Sequence, residues 1–533
     1  MADQPWARHL PPGADRDRPW SPPLTSLPAA WAASWSEQPS APVLLAADGS
    51  TTGSPAAVGE RHPDPRWLRA GELDERTRDA AGRLTTAGLA AGDRLLWSAG
   101  ASLPSVVTCL AALRLGAVVV PVNDGWTERE LRHVAADLRP RVTALARPEQ
   151  GRWVEGVTNG PLVQLSPSLE ALGATAGSSS AKAPVLDDAG PADPAVVVYT
   201  SGTTGAPKGA VLSHGNLAAG TAALISAWRW EPSDRLVLAL PLFHVHGLCA
   251  GLLGTLAAGG SAVLQGRFQA DGVLEAVRRH RASLFFGVPT MYHRILATGQ
   301  AADLARLRLC VSGSAPLPAP LWERVRADGA TPVLERYGMT ETLLTVSNPY
   351  DGERRPGTVG FPLPGVEARL EGDAGPAASL VEGDSGTLLV RGPSVFSGYW
   401  DRPAATAECF EGDWFRTGDV MSVGPDGYLS VRGRRTDVII SGGYNVYPAE
   451  VEDVLLTHPG VAEAVVTGTP SEEWGEVVTA WVVAAGEPVA AADLQAFAAE
   501  RLAPYKLPRA VRVVDALPRN ALGKVLRGEL GEA

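Results

Sequence analysis

The chain has 533 residues and a mass of 55.7 kDa, more than one hydrophobic core usually organises, so we expect two or more domains. Hydrophobic residues make up 45% of the chain and charged residues 20%, which excludes a largely disordered protein. The net charge of -11 argues against a broad binding surface for nucleic acid or for an anionic membrane.

Cysteine usage and the N-terminus bear on the compartment. The four cysteines are widely spaced and form no CxxC pair, so they predict neither a disulfide framework nor a zinc site: Cys109, Cys249, Cys310 and Cys409. The N-terminus lacks the apolar core of a leader peptide, and no stretch approaches the roughly 20 apolar residues of a membrane span. We therefore expect a cytoplasmic protein.

The first elements in chain order predict an arm followed by a parallel sheet. Residues 1–35 are rich in Pro and Trp and predict an extended arm whose tryptophans dock on the main body. An apolar strand at 95–97, a helix at 105–115 and a second strand at 118–122 then predict a βαβ unit. The stretch from 177 to 194 predicts a flexible connection.

A buried strand at 195–199 opens the next part of the chain, and Ser213 is the predicted N-cap of a helix running towards Trp228. Apolar runs around Leu236, Leu284 and Leu309 continue the alternation of strands and helices. After Gly433 a segment of about 100 residues carries its own predicted strands and helix, at 438–440, 462–468, 477–483 and 492–502.

These elements predict an α/β fold with two domains beyond the arm. The large N-terminal domain, residues 36–433, is built from βαβ sheets and helices. The small C-terminal domain, residues 434–533, has an α+β pattern.

The segment between the strand at 195–199 and Ser213 predicts a phosphate-binding loop, arranged as strand, loop and helix. Its glycines let backbone amides approach an anion, its hydroxyls donate to phosphate oxygens, and its lysine adds charge. Pro207 stands where a Walker A loop needs Gly, so this is not that loop, and an exposed Gly/Thr turn is the alternative. The predicted phosphate contacts are Thr200, Ser201, Gly202, Thr203, Thr204, Gly205 and Lys208.

Lysine is scarce in this chain, with four lysines against 43 arginines. Because a compact ammonium group and a planar guanidinium are not interchangeable at a phosphate site, the scarcity favours functional roles for Lys208 and Lys524.

Further short motifs follow the phosphate loop in a fixed order, at 312–316, 336–342, 417–419, 433–437, 441–448 and 518–524. Together with the loop, this series resembles the family of acyl-adenylate-forming enzymes, which includes acyl-CoA synthetases, stand-alone adenylation domains and firefly-type luciferases. The resemblance covers nearly the whole chain after the arm. It implies that ATP and a carboxylic acid form an acyl-AMP, with Mg²⁺, and that a thiol then takes the acyl group.

The residue types in these motifs suit a nucleotide. Tyr337 can stack on a flat base, Thr340 can donate to phosphate, and Glu341 is a hard oxygen ligand for Mg²⁺. Asp419 can accept both ribose hydroxyls and Arg434 can donate to the same sugar, although an Asp after Gly is by itself more often a turn residue. The resemblance thus implies further ATP contacts at Ser314, Ala315, Pro316, Tyr337, Gly338, Asp419 and Arg434.

Lys524 lies in the last motif, in a loop preceded by Gly523. A mobile lysine can stabilise the charge that develops as pyrophosphate leaves, and a solvated tail lysine is the alternative. The resemblance implies catalytic roles for Lys524, Thr340 and Glu341. It also implies that the C-terminal domain swings about a hinge near 435–436 and that Ser441, Gly442 and Gly443 contact CoA. Thr436 stands where many relatives carry Asp or Lys, which leaves the ease of the swing open.

The acyl substrate is predicted from three segments that most resemble those of malonyl-CoA synthetases, at 241–248, 266–268 and 287–294. The resemblance implies that His246 and Arg294 hold the free carboxylate of a diacid, and that Ser312 and Met339 line the acyl site. A guanidinium can hold a carboxylate through two parallel hydrogen bonds in a partly buried pocket. A core histidine and a helix-surface arginine are the alternatives, and a metal pair of His244 and His246 is disfavoured because no further ligand is near in sequence.

We therefore predict an AMP-forming acid:CoA ligase, an acyl-CoA synthetase, that uses ATP, Mg²⁺ and coenzyme A, with malonate or methylmalonate as the favoured acid. A short- or medium-chain monocarboxylic acid is the alternative substrate, and a carrier protein is the alternative acceptor. A luciferase-like oxidase or an inactive scaffold is disfavoured because Lys208, Glu341, Asp419 and Lys524 are all in place. We expect no nucleic-acid partner and no integral membrane association, and the oligomeric state stays open.

Overall fold

The computed structural model describes residues 5–11, 26–46, 66–157, 163–165, 184–200, 207–372, 375–376, 380–441, 444–471, 474–520 and 523–530. Its α-helices are α1 (Leu27–Glu37), α2 (Ala70–Thr86), α3 (Leu103–Arg114), α4 (Glu128–Leu138), α5 (Pro148–Val154), α6 (His214–Ala227), α7 (Gly254–Ala257), α8 (Ala270–Arg279), α9 (Pro289–Ala297), α10 (Ala319–Ala327), α11 (Pro403–Glu408), α12 (Pro448–Leu456) and α13 (Ala491–Ala499).

The strands of the first half of the chain are β1 (Pro42–Ala46), β2 (Leu68–Arg69), β3 (Arg94–Ser98), β4 (Val118–Val122), β5 (Val142–Ala144), β6 (Val163–Leu165), β7 (Pro194–Thr200), β8 (Lys208–Ser213), β9 (Arg235–Leu238) and β10 (Ser261–Leu264). Those of the second half are β11 (Leu284–Gly287), β12 (Leu309–Ser312), β13 (Val333–Tyr337), β14 (Val346–Ser347), β15 (Phe361–Pro362), β16 (Glu367–Gly372), β17 (Gly375–Pro376), β18 (Ser385–Arg391), β19 (Gly398–Tyr399), β20 (Phe410–Glu411), β21 (Trp414–Val423), β22 (Leu429–Arg434), β23 (Ile439–Ser441), β24 (Tyr444–Val446), β25 (Val461–Ser471), β26 (Gly475–Ala484) and β27 (Ala510–Val513).

Two large sheets form the main body. One has the order β15-β14-β13-β12-β11-β9-β10-β1-β2 and is parallel from β13 to β1. The other has the order β19-β8-β7-β4-β3-β5-β6 and is parallel from β7 to β6. Strands buried on both faces form near-continuous apolar runs, as in β4, where every residue is buried. The predicted βαβ unit is confirmed as β3, α3 and β4, and the α/β fold class with it.

The phosphate loop differs from its predicted setting. After residues 201–206, which lie outside the described residues, the chain forms β8, which pairs antiparallel with β7. Only then does α6 begin, and the predicted cap is confirmed because the Ser213 hydroxyl accepts from the Asn216 amide. The arrangement of strand, loop and helix is therefore wrong: the loop joins two strands of a hairpin. Lys208 and Gly209 hid β8 because neither has a strand preference.

The N-terminal arm also differs from the prediction of an extended segment. Residues Leu27–Glu37 form α1, an Ala-rich helix with Pro28 in its first turn, where proline is tolerated. Trp31 and Trp35 lie one turn apart, stack at 6.2 Å between ring centroids and are buried in the main core. The expected docking of tryptophans is confirmed for these two and for Trp6, and Trp20 lies outside the described residues.

Two smaller sheets complete the described chain. One has the order β17-β16-β18-β21-β20, with β22 paired to β21. The last has the order β24-β23-β26-β25, with β27 on β26, and it packs with α12 and α13 around apolar clusters separate from the main core. The strands predicted after Gly433 are confirmed within three residues, and the predicted helix is α13.

Two further observations concern the state of the cysteines and the length and apolarity of the helices. All four cysteines are free thiols. Within the described ranges, no helix is both long and apolar enough to cross a membrane.

Candidate active site

The site forms where β12 and β13 end, at the carboxyl edge of the nine-stranded sheet, the edge at which parallel α/β sheets commonly bind ligands. Ser312 ends β12 and Tyr337 ends β13, so the motifs that follow these strands meet at one edge. A segment with π-helical geometry, His246–Leu253, begins next to them. Glycine is required here, because a Cβ on Gly338 would lie 2.0 Å from the Leu343 carbonyl oxygen.

A buried carboxylate joins three of the predicted nucleotide residues. The Tyr337 hydroxyl donates to Asp419 Oδ2 at 2.5 Å, and Arg434 Nε lies 3.2 Å from Asp419 Oδ1. Asp419 on β21 and Arg434 at the end of β22 are direct partners in the antiparallel pairing. Burial raises the pKa of Asp419, and Arg434 and the Tyr337 hydroxyl oppose that shift. The carboxylate is thus fixed in position and ion-paired.

Lys524 faces the same cleft from the C-terminal part of the chain. It lies in a tight turn in which its amide donates to Asn520 Oδ1 at 3.0 Å. The turn touches α9, because a Cβ on Gly523 would lie 3.1 Å from Thr290 Oγ1. The side chain is exposed, yet partial loss of hydration and the charge of Arg434 lower the pKa of Lys524, and Asp419 opposes the shift. Lys524, Arg434 and Asp419 are therefore near neighbours.

Glu341 is buried and held by a tyrosine that the sequence did not identify. Its Oε1 accepts a hydrogen bond from the Tyr399 hydroxyl at 2.8 Å, and burial raises the pKa of Glu341. The Lys208 ammonium lies 5.4 Å from the centroid of the same ring. We call the hairpin of β7 and β8, which carries Lys208, the phosphate hairpin. Because β19 pairs with β8, Tyr399 lies directly beside it.

The donor set around Glu341 fits magnesium bound jointly with phosphates. In the part of the chain that the structure describes, no group of three or more His, Cys, Asp or Glu side chains could hold a metal. Mg²⁺ usually takes one or two carboxylates and completes its shell with phosphate oxygens and water. Glu341 is buried beside the tyrosine that faces Lys208, and it supplies one carboxylate for such a shell.

His246 lies in an apolar environment with one ring nitrogen free. Its Nδ1 is 3.3 Å from Ser314 Oγ, and in the part of the chain that the structure describes its buried Nε2 has no hydrogen-bond partner. Its ring stacks on Phe286 at 6.2 Å between centroids. Burial and the charge of Arg336 lower the pKa of His246 well below its usual value, so the imidazole is neutral. Ser314, at φ +68°, holds a backbone conformation that non-glycine residues rarely adopt.

Arg336 stands in the motif at 336–342, but sequence reasoning gave it no role in the site. It is 4% exposed, and its buried Nε and Nη2 have no hydrogen-bond partners among the described residues. It presses on Gly313, where a Cβ would lie 2.3 Å from Arg336 Cζ. Burial lowers the pKa of Arg336 to about 9. The signal was a charged residue inside an apolar strand, since every residue of β13 is buried.

These unpaired donors share one neighbourhood. Ser312 Oγ, at the end of the strand next to β13, is also buried and has no hydrogen-bond partner within the described ranges. A buried cation without a counter-ion is costly, and an anionic ligand would remove that cost. Unpaired buried N–H and O–H groups of this kind have the chemistry that suits a carboxylate.

Arg294 lies at the surface of α9, and its role in holding the free carboxylate of a diacid stays a prediction. It is exposed on α9 and not in a partly buried pocket, and no hydrogen bond or ion pair between described residues joins it to His246. It lies one helical turn after Thr290, on the face that meets the Gly523 turn. The surface position follows from the apolar stripe of α9, because Met291, Tyr292, Ile295 and Leu296 occupy the core side.

The remaining predicted residues are spread around the cleft. Thr200 ends β7 and Ser441 is buried on β23. Met339, Thr340 and Ala315 are half-buried and Pro316 is exposed. Seven predicted contacts lie outside the described residues: Ser201, Gly202, Thr203, Thr204, Gly205, Gly442 and Gly443.

Comparison with known proteins identifies the family to which this chain is similar. Residues 45–400 match the family model described as AMP-binding enzyme, and residues 450–524 match the AMP-binding enzyme C-terminal domain. A feruloyl-CoA synthase from Amycolatopsis is 39% identical over 486 residues, covering 90% of this chain and 96% of that protein.

Two further relatives carry names that refer to malonate or to ATP. The mitochondrial malonate--CoA ligase ACSF3 of Mus musculus is 38% identical and covers 80% of this chain and 79% of its own. The solved structure of ATP-bound MatB from Rhodopseudomonas palustris superposes with a TM-score of 0.84 at 36% identity, covering 95% of this chain and 98% of that chain.

Proposed function

The chain belongs to the AMP-binding enzyme family and is an acyl-CoA synthetase, and on that premise we propose that it joins a small dicarboxylic acid, malonate or methylmalonate, to coenzyme A through an acyl-AMP intermediate. The observation that carries the choice of acid is the buried Arg336 guanidinium with two unpartnered nitrogens beside His246.

The first half-reaction uses the residues around Asp419. The Asp419 carboxylate, held by Tyr337 and Arg434, accepts the ribose hydroxyls of ATP. The substrate carboxylate attacks the α-phosphorus, the bond to the β-phosphate breaks, and pyrophosphate leaves. Lys524 contacts the oxygen that joins the acyl group to the phosphate and stabilises the negative charge that develops as pyrophosphate leaves, a type of electrostatic effect worth a few kcal/mol. Thr340 donates to the α-phosphate.

Phosphate binding is shared by Lys208, the hydroxyls and amides of residues 200–205, and Glu341. When bound, Mg²⁺ supplies a positive charge that neutralises the phosphates. Glu341 would hold it, because its other oxygen is free of the Tyr399 bond. Ser314, Ala315, Pro316 and Gly338 enclose the adenine.

The second half-reaction requires that Lys524 leave and that CoA enter. We place the boundary between the two domains at 433/434, and the separate apolar clusters on either side support a rigid-body movement. The loop at Ser441, Gly442 and Gly443 then contacts CoA, whose thiolate attacks the acyl carbonyl and releases AMP. A cytoplasmic location likewise stays a proposal, supported by the free cysteines.

The second carboxylate of the acid is proposed to bind between Arg336 and His246. Arg336 donates two hydrogen bonds from Nε and Nη2, the parallel geometry that suits a carboxylate, and His246 adds one from Nε2. Ser312 and Met339 line the part of the pocket that holds the carbon atoms between the two carboxylates of the acid. Arg294 is exposed on α9, where its charge attracts the diacid.

The test is a direct comparison of acids. Pyrophosphate release and thioester formation are measured with ATP, CoA and one acid at a time: malonate, methylmalonate, butyrate or ferulate. We expect kcat/KM to be highest for the two diacids, with AMP and an acyl-CoA as products. A preference for butyrate or ferulate would overturn the diacid assignment and leave the acyl-CoA synthetase standing.

A further inference from the structure

We propose that Tyr399 is a positioning residue that fixes the Glu341 carboxylate for magnesium and couples it to the phosphate hairpin. The inference rests on the proposed role of Glu341 as the Mg²⁺ ligand. Tyr399 follows a turn at 392–397 that belongs to none of the motifs identified in the sequence. Its place between two charged side chains, Glu341 and Lys208, is visible only in the folded chain.

The hydroxyl of Tyr399 restricts the carboxylate. It donates to Glu341 Oε1 at 2.8 Å, and Tyr399 itself is half-buried, so competition from water is limited. A glutamate end group rotates broadly about its last bond. One fixed hydrogen bond to Oε1 therefore leaves the opposite oxygen aimed in one direction, which is the requirement for a single-carboxylate metal ligand.

The backbone around Tyr399 is held on both sides of the site. Tyr399 pairs with Ala210 on β8, and the Trp400 amide donates to the Gly209 carbonyl at 2.7 Å. On the other side, the Phe396 amide donates to the Glu341 carbonyl oxygen at 2.7 Å. The segment around Tyr399 is thus hydrogen-bonded both to the phosphate hairpin and to the backbone of Glu341.

The ring of Tyr399 also faces the phosphate-binding lysine. Lys208 Nζ lies 5.4 Å from the ring centroid, within the range of a cation–π contact. The same residue thus contacts the predicted cation for phosphate through its ring and the predicted ligand for metal through its hydroxyl. Replacing Tyr399 by Phe separates these roles, because it keeps the ring and removes only the hydroxyl.

The experiment measures metal binding and not turnover. Mn²⁺ replaces Mg²⁺ as the probe, and free Mn²⁺ is followed by electron paramagnetic resonance in the presence of the full chain and α,β-methylene-ATP, in which the scissile bond cannot break. We expect Tyr399→Phe to weaken Mn²⁺ binding about 10- to 100-fold, the range typical when an outer partner of a metal ligand is removed. The KM for Mg·ATP should rise in the same variant.

The matched control removes a comparable hydroxyl elsewhere. Tyr428 donates to the Glu353 carbonyl at 2.8 Å, outside the cleft, so Tyr428→Phe should leave Mn²⁺ affinity unchanged. Melting temperatures of both variants are compared, so that a loss of metal affinity without a matching loss of stability identifies positioning.

A double-mutant cycle with Glu341→Gln separates this inference from the function on which it rests. If Tyr399 acts through Glu341, adding Tyr399→Phe to Glu341→Gln causes no further loss of Mn²⁺ affinity. An additive loss, or an unchanged affinity in Tyr399→Phe while Glu341→Gln is weakened, overturns the positioning role and leaves Glu341 as the ligand. If neither single variant changes Mn²⁺ affinity, both the positioning role and the assignment of Glu341 are overturned.

Discussion

Replacing Arg336 by Met should change both the substrate preference and the stability of the enzyme. Arg336 is 96% removed from solvent, and two of its nitrogens have no hydrogen-bond partner among the residues that the structure describes, so a carboxylate bound there is a desolvated charge partner. Removing one member of such a pair costs about 2 to 5 kcal/mol. Since each 1.36 kcal/mol is a factor of ten in rate, kcat/KM for malonate should fall about 30- to about 5,000-fold.

Butyrate has no charge at that end of the molecule, so its kcat/KM should stay the same or rise in Arg336→Met. Stability should change in the opposite direction to malonate turnover. In the free enzyme the guanidinium is buried and has no ion pair with a described residue, and replacing buried charged groups by apolar side chains of similar volume is often neutral or stabilising by about 1 to 4 kcal/mol.

The assay is the coupled release of pyrophosphate with each acid, beside a urea unfolding curve without substrates. Arg324→Met is the matched control, because Arg324 is exposed on α10 and its removal should alter neither measurement. An equal loss with malonate and butyrate, or a loss of stability in Arg336→Met, would refute the reasoning, since the residue would then be part of the scaffold.

Further predictions concern each half-reaction, the acyl site and pH. Lys524→Ala should nearly abolish acyl-AMP formation while sparing thioester formation from synthetic acyl-AMP, measured separately; equal loss in both contradicts the assignment. His246→Leu should lower kcat/KM for malonate by about tenfold, the effect of losing one hydrogen bond. Arg294→Leu should lower it by less, because exposed charge pairs contribute little to binding. Burial raises the pKa of Glu335 to about 8, so the folded state binds more protons than the unfolded state between about pH 4.5 and 8. The free energy of unfolding therefore falls as pH rises through that window. Glu335→Gln should flatten the dependence of melting temperature on pH.

Local sequence rules predicted the parts of the fold that local chemistry decides. The Ser213 cap was predictable because its hydroxyl bonds to an amide only three residues away. Strand β4 was predictable because a parallel strand buried on both faces is apolar throughout. By contrast, β8 begins with Lys208 and Gly209 and is held mainly by its pairing with β7, which a one-dimensional pattern does not contain.

The candidate site likewise combines residues that local motifs identify with contacts that only the folded chain creates. Glu341, Asp419 and Lys524 belong to compact motifs and could be singled out one motif at a time. The pairing of Tyr337 with Asp419 joins residues 82 positions apart and depends on the fold. Arg336 stands out because two of its buried nitrogens have no hydrogen-bond partner among the described residues. Its burial arises only when β12 and the His246 segment enclose it in the folded chain.

The helix α1 has a consequence for how shortened versions of this chain should be designed. The family match begins at residue 45, which invites truncation just before it. Such a truncation would delete Trp31 and Trp35 from the main core, together with the contact between Trp35 and the buried Arg114 at 5.5 Å. Two buried indoles represent about 400 Å² of surface, or about 10 kcal/mol at about 25 cal/mol per Å². That is as large as the whole stability of a typical domain, so a useful truncation keeps the chain from Ser26 onward.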